Sequence, residues 1–147
     1  MKRFVLDTNV FIHAIRNAKA RTELAAWQRS MAPHIWQHSV VVSELLVGAK
    51  DEETWQRWHE RWVMPAERVR RLFAPEYGVW LRASRIISQL AETGRVSVGG
   101  VKPSFFNDCL LAANSREHGY VIVTHNREDF ELITLVEPAV RTSPPFP

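Results

Sequence analysis

Short β-branched and aromatic runs alternate with helical stretches along this 147-residue chain, and all but one of the links between them are short. Parallel strands need a crossover of a dozen or more residues, which a helix supplies, whereas antiparallel strands can be joined by two-residue turns. The alternation therefore implies βαβ units and an α/β fold: a parallel sheet with helices on both faces, three layers in all. The opening run, Arg3 to Leu6, stops abruptly at Asp7-Thr8-Asn9. Residues Val10 to Arg16 then carry Val10, Phe11, Ile12, Ala14 and Ile15 as a helical apolar face.

The same reading predicts helices over Ala20–Met31, Ser39–Ala49, Asp51–Val63, Pro75–Thr93 and Ser104–His118. Ser104 is the expected N-cap of the last of these, and Gly119 its C-terminal stop. Strands are expected at His34–Gln37, Val69–Phe73 and Tyr120–Val123, with RVSVGGVKP (95–103) as a long loop. A helical turn at Arg127–Leu132 and a final strand at Thr134–Val136 complete one domain over residues 1–140. The proline-rich tail, 141–147, is expected not to fold. No apolar run approaches the roughly 20 residues a membrane span requires. Asp7 interrupts the N-terminus before a signal-peptide core forms. A soluble, cytoplasmic domain is the expectation, with no membrane partner. The single cysteine, Cys109, excludes an internal disulfide and any cysteine-cluster zinc site.

Four acids stand out by position. Asp7 ends the first strand, Glu44 lies mid-helix among apolar residues, Asp108 sits early in FFNDCLLAAN, and Asp129 follows the 120–123 strand by one turn. Each has an ordinary structural role open to it: Asp7 or Asn9 as a helix cap, Glu44 as a solvated helical acid. Together they come from separate elements that a parallel sheet brings to its carboxyl edge, where such folds place their working residues. Two carboxylates ~4–5 Å apart repel by roughly 3–4 kcal/mol at an effective dielectric near 20. A cluster of them calls for a cation, and hard oxygen donors favour Mg²⁺ or Mn²⁺.

The segments DTNVFI, SELLVG around Glu44, and NDCLLAANSREHGYVIVTHNREDF, in this order and spacing, resemble the PIN-domain nucleases, specifically the VapC toxins of bacterial toxin–antitoxin pairs. The resemblance implies a Rossmann-like α/β/α fold and a Mg²⁺- or Mn²⁺-dependent endoribonuclease that hydrolyses RNA phosphodiester bonds. It implies that Asp7, Glu44 and Asp108 are catalytic, metal-holding acids. Asn126 falls at the fourth catalytic position, where some members carry Asp, and Asp129 is left open between metal ligand and structural cap. Thr8, Asn9 and Thr124 are then the residues that orient metal-bound waters. A cognate antitoxin and a homodimer are the protein partners expected with the RNA substrate.

Fifteen arginines against four lysines lean toward a polyanion or simply toward arginine-rich solvated helix faces. Trp55, Trp58 and Trp62 fall on one expected helical stripe, read as core packing or dimer contact, or else as a groove for an antitoxin helix. Arg57 and Arg61 flank it, for RNA binding or for solubility. His125 adjoins the site strand as a loop histidine or a phosphate contact, and the other five histidines lack metal-type spacing. The alternative function is a non-catalytic PIN-fold binding module in a repressor or regulatory complex. A phosphatase or receiver-like reading fails because Asn9 stands where that pattern needs a second Asp.

Overall fold

The computed structural model describes residues 1–146. Strand β1 (Phe4–Leu6) leads directly into α1 (Thr8–Arg16), followed by α2 (Ala18–Met31), a 3-10 turn at Ala32–His34 and β2 (Ile35–His38). Next come α3 (Ser39–Val47), α4 (Glu52–Trp58), a π-helical turn at His59–Val63, α5 (Met64–Arg68) and β3 (Leu72–Phe73). The second half runs through α6 (Tyr77–Glu92), a 3-10 turn at Val98–Gly100, α7 (Pro103–His118), β4 (Val121–Val123), α8 (Arg127–Val136) and β5 (Arg141–Ser143).

Among the described residues the strands form one five-stranded sheet of order β3-β2-β1-β4-β5, with every pairing parallel. The chain moves outward from β1 to β3, then crosses to β4 and continues outward on the other side. Helices flank the sheet in two groups, α1 packing on α2 and α3, and α6, α7 and α8 packing on one another, as an α/β fold requires. β1 and β4, each buried at all three residues, pair in the register Phe4–Val121, Val5–Ile122 and Leu6–Val123. The direction of winding reverses between them, so their carboxyl ends open a crevice. Among the described residues no helix is long and apolar enough to cross a membrane.

The core follows from period. On α6, Val79, Ala83, Ile86 and Leu90 recur every three to four residues and are all buried. α7 is buried over most of its length, from Phe105 to Ser115, because it lies between α6, α8 and the sheet. It ends at Gly119, which takes the left-handed conformation (φ 70°) as expected of that glycine. Glu137, buried at the end of α8, ties the layer together by pairing with Arg82 of α6 (3.1 Å) and Arg116 of α7 (3.4 Å).

Several expectations are corrected. Ser104 does not cap α7: the helix begins one residue earlier at Pro103, with Lys102 in the cap position and no side-chain capping bond. Proline at the first turn is pre-set for helix and has no N–H to satisfy. Thr134–Val136 is not a strand but the end of α8, whose buried Phe130 and Ile133 are spaced as a helix requires. The final strand lies instead at Arg141–Ser143, in the segment expected to be an unfolded tail. The free edge of β4 recruits it, and Thr124 N donates to Ser143 O at 3.1 Å. Phe146 continues the contact by packing on Trp27, while Pro147 lies outside the described residues.

The helix expected over Asp51–Val63 breaks into α4 and the π turn, and helical structure runs on past Pro65 into α5. The following strand shrinks to Leu72–Phe73, because Arg70 turns through the left-handed region (φ 54°). The π turn also divides the three tryptophans. Trp62 is core, edge-to-face on Phe11, whereas Trp55 stacks on His59 and faces a different groove from Trp58.

Candidate functional site

Asp7 is buried at the end of β1, where it is held from three sides. Its Oδ1 accepts from Thr8 N (2.8 Å) and so caps α1, while its Oδ2 accepts from Thr124 Oγ1 (2.7 Å) and Asn9 Nδ2 (3.1 Å). The capping role and the cluster role are therefore combined in one carboxylate. Burial, and then the charge of Glu44, push its pKa up, against the pull of the three donors.

Thr124 follows β4 and links the two central strands. Its hydroxyl donates to Asp7 and accepts from Asn9 Nδ2 (3.1 Å) and Asn126 N (2.9 Å). Asn9 in turn accepts from His125 N at 3.0 Å. His125 itself is an exposed loop residue at this rim, its ring edge-on to His13 with centroids 5.1 Å apart.

Glu44 reaches the same crevice from α3. Its Oε1 accepts from Thr8 Oγ1 (2.8 Å) and its Oε2 from Asn107 Nδ2 (3.2 Å). Asn107 was not among the residues read from the sequence. The only signal was its place beside Asp108, and an amide there has many ordinary uses.

Asp108, on the second turn of α7, is buried, and its pKa is pushed up to about 9. Burial is the largest cause, followed by the charge of Asp7, a hydrogen bond and charge from Asp129, and the charge of Glu44. Asn126 answers this crowding. Its Nδ2 donates both to Asp108 Oδ2 (3.1 Å) and to Asp129 Oδ2 (2.8 Å), bridging two carboxylates with a neutral donor. Although Asn126 holds the N-cap position of α8, its side chain makes no capping bond. Asp129 adds favourable charge to the first turn of that helix. The neighbouring Cys109 is core, as expected, its thiol pushed up to about 12 by burial and then by Asp108 and Asp129.

The structure thus brings Asp7, Glu44, Asp108, Asn126 and Asp129 together with Thr8, Asn9 and Thr124. Among the described residues no three His, Cys, Asp or Glu side chains are already gathered in metal-holding geometry. Amides and hydroxyls bridge the carboxylates instead. The donor chemistry nonetheless fits a hard divalent cation: all the candidate donors are oxygens, and a buried acid resisting ionisation at pH 7 is what a bound cation relieves. A cavity of about 920 Å³ lies elsewhere, between α3, Trp55 and the edge strand β3. Its lining is mostly apolar and includes none of these residues.

A parallel α/β fold with an acidic, oxygen-donor crevice at the carboxyl ends of its central strands defines the class of protein. Residues 4–134 match the model of the PIN domain, and the chain belongs to that family. Among curated proteins, none matches the sequence. Several solved structures share the fold over nearly the whole chain, among them the following three. DNA-bound VapBC from Salmonella typhimurium has a TM-score of 0.74 at 24% identity, covering 98% of each chain. VapBC-1 from nontypeable Haemophilus influenzae has 0.69 at 23%, covering 96% of each. FitAcB from Neisseria gonorrhoeae has 0.69 at 18%, covering 95% of each.

Proposed function

We propose that this PIN domain is a Mg²⁺- or Mn²⁺-dependent endoribonuclease acting as the toxin of a toxin–antitoxin pair. The observation that carries the reading is the convergence of Asp7, Glu44 and Asp108 from three separate elements on the β1–β4 crevice, with Asp108 raised to about 9. Asp7, Glu44 and Asp108 are the residues to hold the metal, with Asp129 beside them. A bound divalent ion supplies Lewis-acid polarisation of a phosphoryl oxygen and a more acidic water.

The chain's own groups then do the positioning. Thr124 and Asn9 lock the Asp7 carboxylate in one orientation. Thr8 and Asn107 fix the two Glu44 oxygens. Asn126 holds Asp108 and Asp129 together without adding charge. Such bonds keep acid side chains in register for a phosphodiester.

A cytoplasmic antitoxin partner belongs to the same reading, supported by the likeness to structures named VapBC and FitAcB. A homodimer belongs to it too, supported by the exposed Tyr77, Trp80 and Leu81 on α6. The test is cleavage of single-stranded RNA by purified protein with Mn²⁺, with EDTA, and in the Glu44→Gln and Asp108→Asn variants. Cleavage lost in EDTA and in both variants is expected. Wild-type protein that folds, binds Mn²⁺ and cuts no RNA would sink the nuclease reading in favour of a PIN-fold binding module.

A further inference from the structure

A groove of about 220 Å³ opens between the end of α1, the start of α2 and the α4–π segment, lined by Ile15, Arg21, Arg57, Trp58, Arg61 and Trp62. Among the described residues, none of the three arginines forms an ion pair. Two of them are held in place. Arg21 Nε donates to Ala14 O (3.3 Å), and the Arg61 guanidinium lies 4.9 Å from the Trp62 ring centroid. Asp51 is held low chiefly by its hydrogen bonds with Thr54 and only lastly by the fields of Lys50 and Arg57, and Arg57 forms no ion pair among the described residues. The π turn contributes Arg61 and Trp62 to this groove, and such turns are frequent at functional sites. The carbonyl of Trp62 is satisfied by Gln37 Nε2, which anchors the turn against β2.

The chemistry of the lining is that of a nucleotide: guanidinium forks for a phosphate, an indole face for a base. The groove is smaller than the roughly 300–1,000 Å³ of an ordinary ligand pocket, a size for one planar ring rather than a helical segment. Its position adds to this. Ile15 lies seven residues along α1 from Thr8, about 10 Å at 1.5 Å per residue. The acidic crevice repels phosphate, so a strand that passes it must be held by cations nearby.

We propose that this arginine–tryptophan groove is a subsite for single-stranded RNA, taking a phosphate on Arg21, Arg57 and Arg61 and a base on Trp58. The proposal rests on the ribonuclease reading for its substrate, but binding can be measured without cleavage. Anisotropy of a short fluorescein-labelled single-stranded RNA, titrated in EDTA, reads the groove alone. Arg57→Glu with Arg61→Glu should weaken binding at least about tenfold and flatten the log–log salt slope by about 1.4, two phosphate contacts on a single strand. Trp58→Ala should cost about tenfold. Arg57→Lys with Arg61→Lys, which keeps the charge but not the fork, should cost about threefold.

The control is Arg85→Glu with Arg95→Glu, two exposed arginines outside the groove carrying the same change in net charge. It should bind like the wild type. Equal loss in the control, or wild-type affinity in the groove variants, overturns the proposal. So does a poly-glutamate peptide whose binding is lost in the groove variants while RNA binding persists, since that assigns the groove to an acidic protein segment. If the wild type cuts RNA and the groove variants bind and cut equally well, the subsite fails and the nuclease reading stands. If RNA binds through the groove and nothing is cut, the nuclease reading fails and the subsite stands.

Discussion

Replacing Asp108 by asparagine should stabilise the metal-free protein, and more so as the pH rises. The unfolded carboxyl titrates near 3.8, whereas in the fold it is pushed up to about 9. Between these values the folded state binds a proton that the unfolded chain has released. Stability contributed by this group is therefore complete below about pH 4 and is lost as the pH climbs toward 9. At pH 7 the gap above 3.8 is a little over three units. At about 1.4 kcal/mol per unit, the fold gives up roughly 4 kcal/mol to keep Asp108 protonated. An asparagine at this position carries no such cost, and its amide oxygen still accepts from Asn126. A gain of about 2–4 kcal/mol is expected at pH 7, or roughly 5–15 °C in melting temperature for a domain of this size. Urea and thermal melts in EDTA at pH 5 and pH 8 measure it, with the advantage larger at pH 8. Adding Mn²⁺ should raise the wild type and leave the variant unmoved. A variant less stable than wild type at pH 8, or a difference that does not change with pH, would refute the reasoning and make Asp108 an ordinary structural acid.

Asn126→Asp places a third carboxylate against Asp108 and Asp129, where the amide now donates to both. Metal-free stability should fall by about 1–3 kcal/mol, and calorimetric Mn²⁺ titration should show tighter or additional binding. Unchanged affinity would place Asn126 outside the ion's reach. His38 is buried and neutral, bonded to Asn114 Oδ1 at 2.9 Å, with its pKa lowered to about 4 chiefly by burial. Its contribution is present above pH 6.5 and lost as the pH falls toward 4, by roughly 3 kcal/mol. The acid-side slope of urea stability should therefore flatten in His38→Gln, and an identical slope would exclude the mechanism. Gly119→Ala forces a side chain into the left-handed region at φ 70° and should cost about 1 kcal/mol by denaturant melt. An unchanged melt would mean that the α7–β4 turn relaxes.

Local chemistry carried much of this protein in its sequence. The β1–Asp7–α1 junction was legible because a buried run ending at an N-cap residue leaves few alternatives, and Gly119 because a left-handed stop is hard to make otherwise. Asp7, Glu44, Asp108 and Asp129 stood out as charges placed where the surrounding apolar pattern did not need them, whereas Asn126 was singled out only through the family resemblance. The family match covers those positions, and the structure gathers them at one crevice. Other features depended on partners distant in the chain. Thr134–Val136 stays in α8 because Phe130 and Ile133 anchor that helix in the core, and Arg141–Ser143 becomes a strand because the open edge of β4 lies beside it. The π turn that sets Trp62 apart from Trp55 and Trp58 on α4 exists where Gln37, 25 residues away, can satisfy the Trp62 carbonyl. Asn107 becomes part of the site because α3 brings Glu44 to it across 63 residues. Period, caps and turn residues act over a few residues and can be read in order. Edge pairing and the satisfaction of buried polar groups are set by what the rest of the chain brings within about 3 Å, and folding alone supplies that.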